Sequence, residues 1–327
     1  MILDGAFVLT QGFVKVAPIF GDMPNCLNMK SFKTIAATVS LALMLLSNAT
    51  AQSIYSKSNL FAWCIVPYDI KHRSPADRIA MLKELGFKSY AYDWRAEHLA
   101  TSVEEWKLAK KNNIKVNAVW IWIDANTDSP QQLSSANLQL LSYLKETKLK
   151  TQLWVGFHAN FLEGLDEEAK VLKSKEMLDY LHAKATEVGC TIALYNHGDW
   201  LGEPANQVKV IEASGFKDVG IIYNFHHAHE QLDRYTDIID AALPYLWAVN
   251  MNGMREEGPK ILPIGSGDRE SEMMAYLTKV GFKGQIGILG HIEEEDVAIV
   301  LQQNLSGLQR ILSSIGDNEG LSTYGKN

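Results

Sequence analysis

Eight apolar runs, each followed by a helical pattern, constrain this chain more than any other feature. The runs cover 60–66, 88–93, 116–123, 151–157, 190–195, 219–225, 245–251 and 285–289. Most are continuous and rich in Val, Ile, Trp and Tyr, as strands of a parallel sheet buried on both faces are. The helical segments expected between them are 75–85, 103–112, 130–146, 167–188, 204–214, 232–243, 269–280 and 293–315. Ser74 before Pro75 reads as an N-cap with proline at the first helical position. Ser102 with Glu105 reads as a capping box. Gly86, Gly215 and Gly281 stand where a left-handed residue ends a helix. The tail after Gly316 is expected to fray.

Eight strand–helix units predict an α/β protein with one closed (β/α)8 TIM barrel over 52–327. An open doubly wound sheet would usually carry a glycine-rich turn after its first strand. The turn here, PYDIKHRS, has no glycine.

The first 51 residues are set apart. From Met29 the chain reads MKSFKTIAATVSLALMLLSNATAQ. Lys30 and Lys33, an apolar stretch and Ala49-Thr50-Ala51 form the pattern of a secretory signal over 29–51. Residues 1–28 then lie upstream of the expected start. This predicts an exported, periplasmic protein with no stable membrane anchor after cleavage. What remains is close to the roughly 250 residues typical of one such barrel. Net charge is −7 and no basic patch stands out, so nucleic acid is not an expected partner. Cys64 and Cys190 lie in apolar runs and read as buried, inert thiols.

Six of the nine histidines fall at ends of strand-like runs: His158, His197, His226, His227, His229 and His291. Active sites of (β/α)8 barrels sit at the C-terminal ends of the strands, and imidazole both binds metals and moves protons. In an extended strand end His226 and His227 point to opposite sides, so one of them is expected to face the axis. Other strand ends offer Asp93, Asp124, Asn196, Asn224, Asn250 and Asn252, and Glu203 precedes Pro204. Amides suit sugar hydroxyls because each carries donors and an acceptor. Trp122 and Trp200 lie beside these ends, where a ring can stack on a sugar face; the plainer role for any one tryptophan is packing. A glycosidase would need two flanking carboxylates, and Asp93, Asp124 or Glu203 could supply them. No P-loop, G-x-S-x-G or H-E-x-x-H motif is present.

LYNHGDWLGEP, IIYNFHHAHE, AVNMNGM and GQIGILGH, in this order, resemble the xylose isomerase-like TIM-barrel family of sugar isomerases and epimerases. The nearest flavour is an exported bacterial branch similar to 3-keto-glycoside lyases. The resemblance implies proton abstraction beside a carbonyl, with a divalent metal (Mn, Co, Zn or Mg). It implies His197, His227 and His291 as ligands, and His197, His227, Glu203 and Asp124 as catalytic groups. The implied sugar contacts are Trp122, His158, Asn196, Asn224, Asn250, Asn252 and Trp200. The chain departs from the family where acids are usual: Asn196-His197 on strand five, Asn224 on strand six and Gly290-His291 on strand eight. A non-catalytic carbohydrate-binding barrel and an Asp/Glu hydrolase are the alternatives. An exported location disfavours phosphorylated substrates.

Overall fold

The structure is a computed structural model that describes residues 52–325. The expected signal at 29–51 and the stretch 1–28 lie outside the described residues. Eight parallel strands close in sequence order: β1 Leu60–Trp63, β2 Ser89–Tyr92, β3 Lys115–Ile123, β4 Gln152–Phe157, β5 Thr191–Tyr195, β6 Val219–Asn224, β7 Leu246–Met251 and β8 Gln285–Leu289. The ring closes where β1 runs beside β8, Leu60 against Ile286 through Trp63 against Leu289. Every strand begins within a residue or two of its expected start. The reason is burial on both faces: β1, β2 and β6 contain no exposed residue.

The helices are α1 Pro75–Glu84, α2 Leu99–Lys111, α3 Ser135–Thr147, α4 Glu167–Val188, α5 Pro204–Ser214, α6 Tyr235–Ala242, α7 Glu270–Lys279, α8 Val297–Ser314 and a short α9 Asn318–Ser322. Ser74 caps α1 by accepting from the Asp77 amide, with Pro75 at the first turn. Gly86, Gly215 and Gly281 all adopt the left-handed conformation, at φ 77°, 75° and 73°. No helix of the described residues is long and apolar enough to cross a membrane.

Four helix starts differ from the sequence expectation. Helix α2 begins at Leu99, not 103, so Ser102 lies inside it and its hydroxyl donates to the Leu99 carbonyl. Glu105 is no capping partner: it is buried and accepts from Arg78 Nη1 of α1 at 2.5 Å. Helices α3, α6 and α8 begin later than expected, after loop turns at Ser129–Gln132, His229–Arg234 and around Asp296. Leu133 and Leu232 extend the apolar spacing into the loops before α3 and α6, and the acidic run 293–296 before α8 resembles a first helical turn; the Ser134 and Asp296 side chains accept the first free amides and fix the real starts.

The tail is also ordered rather than frayed. Asp317 caps α9, and the buried Tyr324 donates its hydroxyl to the Tyr55 carbonyl at 2.8 Å. Tyr324 and the partly buried Leu321 anchor this segment on the core.

Candidate functional site

The barrel interior is filled by aromatic rings rather than by the branched aliphatic layers common in this fold. Phe61 and Trp63 of β1, Trp120 of β3, Trp154 of β4 and Tyr195 of β5 interlock, with ring centroids between 4.8 and 6.1 Å. Glycines make room for them. A Cβ on Gly156 would meet the Trp120 ring at 2.3 Å, and one on Gly287 would meet the Phe61 ring at 2.7 Å. Gly156→Ala is therefore expected to destabilise the fold by about 1–3 kcal/mol through overpacking, read as a lowered denaturation midpoint. An unchanged midpoint would mean that the Trp120 ring can move freely.

Above this floor the strand ends open onto a cavity of about 560 Å³, within the range of small-molecule sites. One wall is aromatic: Trp63, Trp94, Trp120 and Trp122. Trp94 is held by its Nε1, which donates to the Trp120 carbonyl at 2.7 Å, and Trp120 stacks on Trp122 at 5.8 Å. Next to it runs a row of four imidazoles, with Trp122 edge-on to His197 at 4.7 Å between centroids. His197 adjoins His227 at 4.5 Å between centroids, His227 adjoins His226 at 4.5 Å, and His226 adjoins His291 at 5.1 Å. Both His226 and His227 therefore line the cavity. Strict alternation does not hold there because the strand ends at Asn224 and a tight turn, Phe225–His227, follows. The Asn224 side chain accepts the His226 amide and sets that turn.

All four rings are held neutral. Burial lowers each of them first, and for His227 the neighbouring imidazoles add to it. His226 and His291 fall to about 4 and His227 to about 2. Neutral imidazoles keep one N–H donor and one lone pair each at pH 7.

Of the three carboxylates that line the cavity, Asp93, Asp124 and Asp128, the one with an unpartnered buried oxygen is Asp93, just after β2. It is buried, lines the cavity, and accepts the Val66 amide with one oxygen at 3.2 Å. Its other oxygen, Oδ2, has no partner. Burial pushes its carboxyl up to about 6, against the opposing pull of Arg95. Arg95 donates to the Asp93 carbonyl and to the Tyr68 hydroxyl at 2.7 Å, and Tyr68 lies over His291 at 3.6 Å. Cys64 lines the cavity as well; burial and Asp93 push its thiol well above the ordinary range. Sequence reasoning placed Asp93 at a strand end but did not single it out. Its distinguishing property, a desolvated unpaired oxygen, has no sequence signature.

The expected site residues divide into several groups. His197, His227, His291, Trp122, Asp124 and Asn224 line the cavity. Asp124 is committed to the loop: it accepts from the Asn126 amide and from Asn160 Nδ2, which holds its carboxyl low. Asn196 is buried and pairs with the backbone of Asn224 in both directions. Asn250 is buried beside the Tyr195 hydroxyl, which also accepts from Trp63 and Asn224. Asn252 donates to the Gly253 and Lys260 carbonyls and braces the loop after β7. His158 accepts the Asn160 amide at a turn, with its ring edge-on to Trp122. Trp200 turns away and donates Nε1 to the Glu167 carboxylate. Glu203 bonds to Arg234 and lines a neighbouring hollow.

The imidazoles have the donor chemistry of a transition-metal site. Their placement does not close on an ion: the contacts run His197, His227, His226, His291 in a line. Among the described residues no three His, Cys, Asp or Glu side chains are grouped to hold a metal. The expected set of His197, His227 and His291 skips His226, the ring that joins His227 to His291.

No protein-family model matches the chain, and no curated protein matches it in sequence. Solved structures do match in fold. A 3-keto-D-glucoside 4-epimerase from E. coli superposes with a TM-score of 0.60 at 17% identity, over 78% of this chain and 100% of that one. A D-psicose 3-epimerase gives 0.59 at 15% identity, over 79% and 99%. The IOLI protein, solved with a zinc atom, gives 0.58 at 13% identity, over 78% and 98%. The fold is thus a (β/α)8 barrel, similar in architecture to these solved epimerases. At these identities the likeness is one of architecture.

Proposed function

We propose that the protein is a sugar isomerase or epimerase-type enzyme that takes a proton from the carbon beside the carbonyl of a keto sugar or 3-keto glycoside. The observation that carries this reading is the pairing, in one cavity, of a desolvated carboxylate with a row of neutral imidazoles and an adjoining aromatic wall. The sugar's C–H face stacks on Trp122 and Trp94, while its oxygens face the imidazole N–H groups.

Asp93, with a pKa near 6, is largely ionised at neutral pH and matched to proton transfer there. The Asp93 carboxylate takes the proton. The C–H electron pair becomes the carbon–carbon double bond of an enediolate, and the carbonyl oxygen gains the negative charge. His227 and His197 donate N–H bonds to that oxygen. As neutral rings already held in place they meet the developing charge without reorganising. Return of the proton to the neighbouring carbon, with exchange of the hydroxyl proton, gives an isomer. Return to the same carbon from the other face gives an epimer, and departure of a group from the adjacent carbon gives elimination. In this assignment Asp93, not Glu203 or Asp124, is the base, and His197 and His227 are oxyanion donors. Export to the periplasm, suggested by the segment at 29–51, remains part of the proposal and favours unphosphorylated substrates.

The test is turnover of free ketoses and 3-keto glycosides in deuterium oxide. Deuterium is expected at the carbon beside the carbonyl, with kcat/KM falling about tenfold per pH unit below 6 as Asp93 protonates. Turnover without solvent exchange would overturn the reading. Activity that requires added Mn, Co, Zn or Mg, and is lost to a chelator, would overturn the role given to free imidazoles. Ligand binding with no turnover on any substrate would favour a carbohydrate-binding barrel.

A further inference from the structure

Tyr68 and Arg95 both line the main cavity. Arg95 Nη1 donates to the Asp93 and Trp94 carbonyls at 2.8 and 2.9 Å, and Nη2 donates to the Tyr68 hydroxyl at 2.7 Å. All three acceptors are neutral oxygens, so none of these bonds neutralises the guanidinium. Its carbon stands 5.4 Å from the centre of the Tyr68 ring. The same ring lies over His291 at 3.6 Å. Beside it in the chain Asp69 is buried and paired with Arg73 at 2.8 Å, which holds the loop.

The Tyr68 oxygen accepts from Arg95, and among the described residues no protein atom accepts the Tyr68 proton. That proton is therefore offered to whatever occupies the cavity. Burial pushes the phenol up to about 12 against the opposing pull of Arg95, so the proton is in place at neutral pH. Such a weak acid gives it up only to a strongly basic oxygen, as a departing alkoxide is.

Strand order places this donor. Ala62 of β1 pairs with Tyr90 of β2, and Tyr68 and Asp93 follow these neighbouring strands. His197 and His227 follow β5 and β6, four strands further round the closed ring. A substrate whose carbonyl oxygen faces His197 and His227 therefore meets Asp93 and Tyr68 on one and the same side.

We propose that Tyr68 is the acid of this site, giving its hydroxyl proton to an oxygen that leaves from the carbon next to the one Asp93 deprotonates, and that Arg95 is the positioning residue that holds it. The inference rests on the keto-sugar reading above and commits it to elimination. Asp93 takes the proton from the carbon beside the carbonyl, and the C–H pair forms the enolate. The carbonyl then re-forms, the enolate pair becomes the new carbon–carbon double bond, and the carbon–oxygen bond to the leaving group breaks. The departing oxygen keeps that bond's electron pair and takes the Tyr68 proton. The phenolate left behind is stabilised by Arg95, and the proton on Asp93 returns to it through water.

Three 3-keto-glucosides in deuterium oxide test this: the methyl β, p-nitrophenyl β and methyl α compounds. In the β anomers the C2 hydrogen and the C1 oxygen share a face, so the methyl β compound is expected to eliminate at least about tenfold faster than the α. With the acid present, wild-type release of methanol and of p-nitrophenol is expected to agree within about a hundredfold. Tyr68→Phe keeps the ring over His291. It is expected to slow methanol release by about 10²–10⁴-fold and release of p-nitrophenolate, which needs no proton, by less than about tenfold. Deuterium exchange into recovered methyl glycoside should then rise relative to release. Arg95→Gln is expected to slow methanol release alone and to add nothing to Tyr68→Phe.

A far steeper wild-type dependence on the leaving group would overturn the acid, and this arm needs no variant to fold. Equal losses for the two leaving groups in Tyr68→Phe, or faster elimination from the α anomer, would overturn it as well. Additive losses would overturn the positioning role and leave Arg95 a brace for the Asp93 carbonyl. Exchange without release in the wild type would sink the acid and leave proton abstraction standing; neither exchange nor release would sink both.

Discussion

Asp93→Asn is expected to remove turnover and at the same time make the protein more stable at pH 8. The two effects share one cause. Burial raises the Asp93 carboxyl from 3.8 to about 6, so between those values the folded state holds a proton that the unfolded state has released. Stability therefore falls as pH rises through about 4 to 6, and the deficit persists above it. A shift of that size corresponds to about 3 kcal/mol at full ionisation. Asparagine keeps an oxygen to accept the Val66 amide and carries no charge. The amide nitrogen then stands where Oδ2 has no partner, which gives back part of the gain. A net stabilisation of about 1–2 kcal/mol at pH 8 is expected, shrinking towards zero or below near pH 4. Loss of the base is expected to lower kcat by about 10²–10⁴-fold. Parallel denaturation curves at pH 4 and pH 8, with single-turnover rates, read both effects. A variant that is inactive and also less stable at pH 8 would make Asp93 a structural residue. One that is active and more stable would remove it from the chemistry.

The largest loss of stability is expected from Arg78→Ala. Arg78 and Glu105 are both buried, and their ion pair joins α1 to α2. Arg78 also donates to the Arg73 and Ile65 carbonyls, at 2.8 and 3.3 Å, and so braces the loop that leads from β1 past Cys64 to Asp69. Removing the arginine leaves Glu105 with a buried charge and no counter-ion. Breaking such a pair costs about 3–5 kcal/mol. Burial already pushes Glu105 up to about 6 against the pull of Arg78, and without Arg78 it rises further. The cost should therefore be full at pH 8 and smaller at pH 5, where Glu105 can take a proton. Urea denaturation at both pH values measures this. Equal losses at the two values would show that packing, not the stranded charge, sets the effect. Replacing both partners together by apolar residues of similar volume should restore much of the stability.

The barrel was legible because a parallel strand buried on both faces is largely apolar, as the LFAW of β1 and the VGIIY of β6 are. Helix starts were less legible where apolar spacing runs on into a loop, as before Ser135 and Tyr235. The ion pair of Arg78 with Glu105 was hidden by a locally satisfactory alternative, the apparent capping box with Ser102. The histidines at strand ends were visible. Their order in space was not, because the turn at Phe225–His227 abolishes the alternation that would have separated His226 from His227.

By itself the sequence determined the eight strand–helix units, the mouth at which imidazoles and tryptophans collect, and the scarcity of acids at positions where the resembling family has them. Only the tertiary structure decided which of these groups act together. It drew His226 into the row, turned Glu203 and Trp200 out of the cavity, and fixed Asp124 in its loop. It also desolvated Asp93 until one oxygen was left without a partner. Strand register and burial pattern are carried by the order of residues along the chain. Desolvation and pairing depend on what the other seven strands bring to the same point in space, and no local stretch of sequence encodes that.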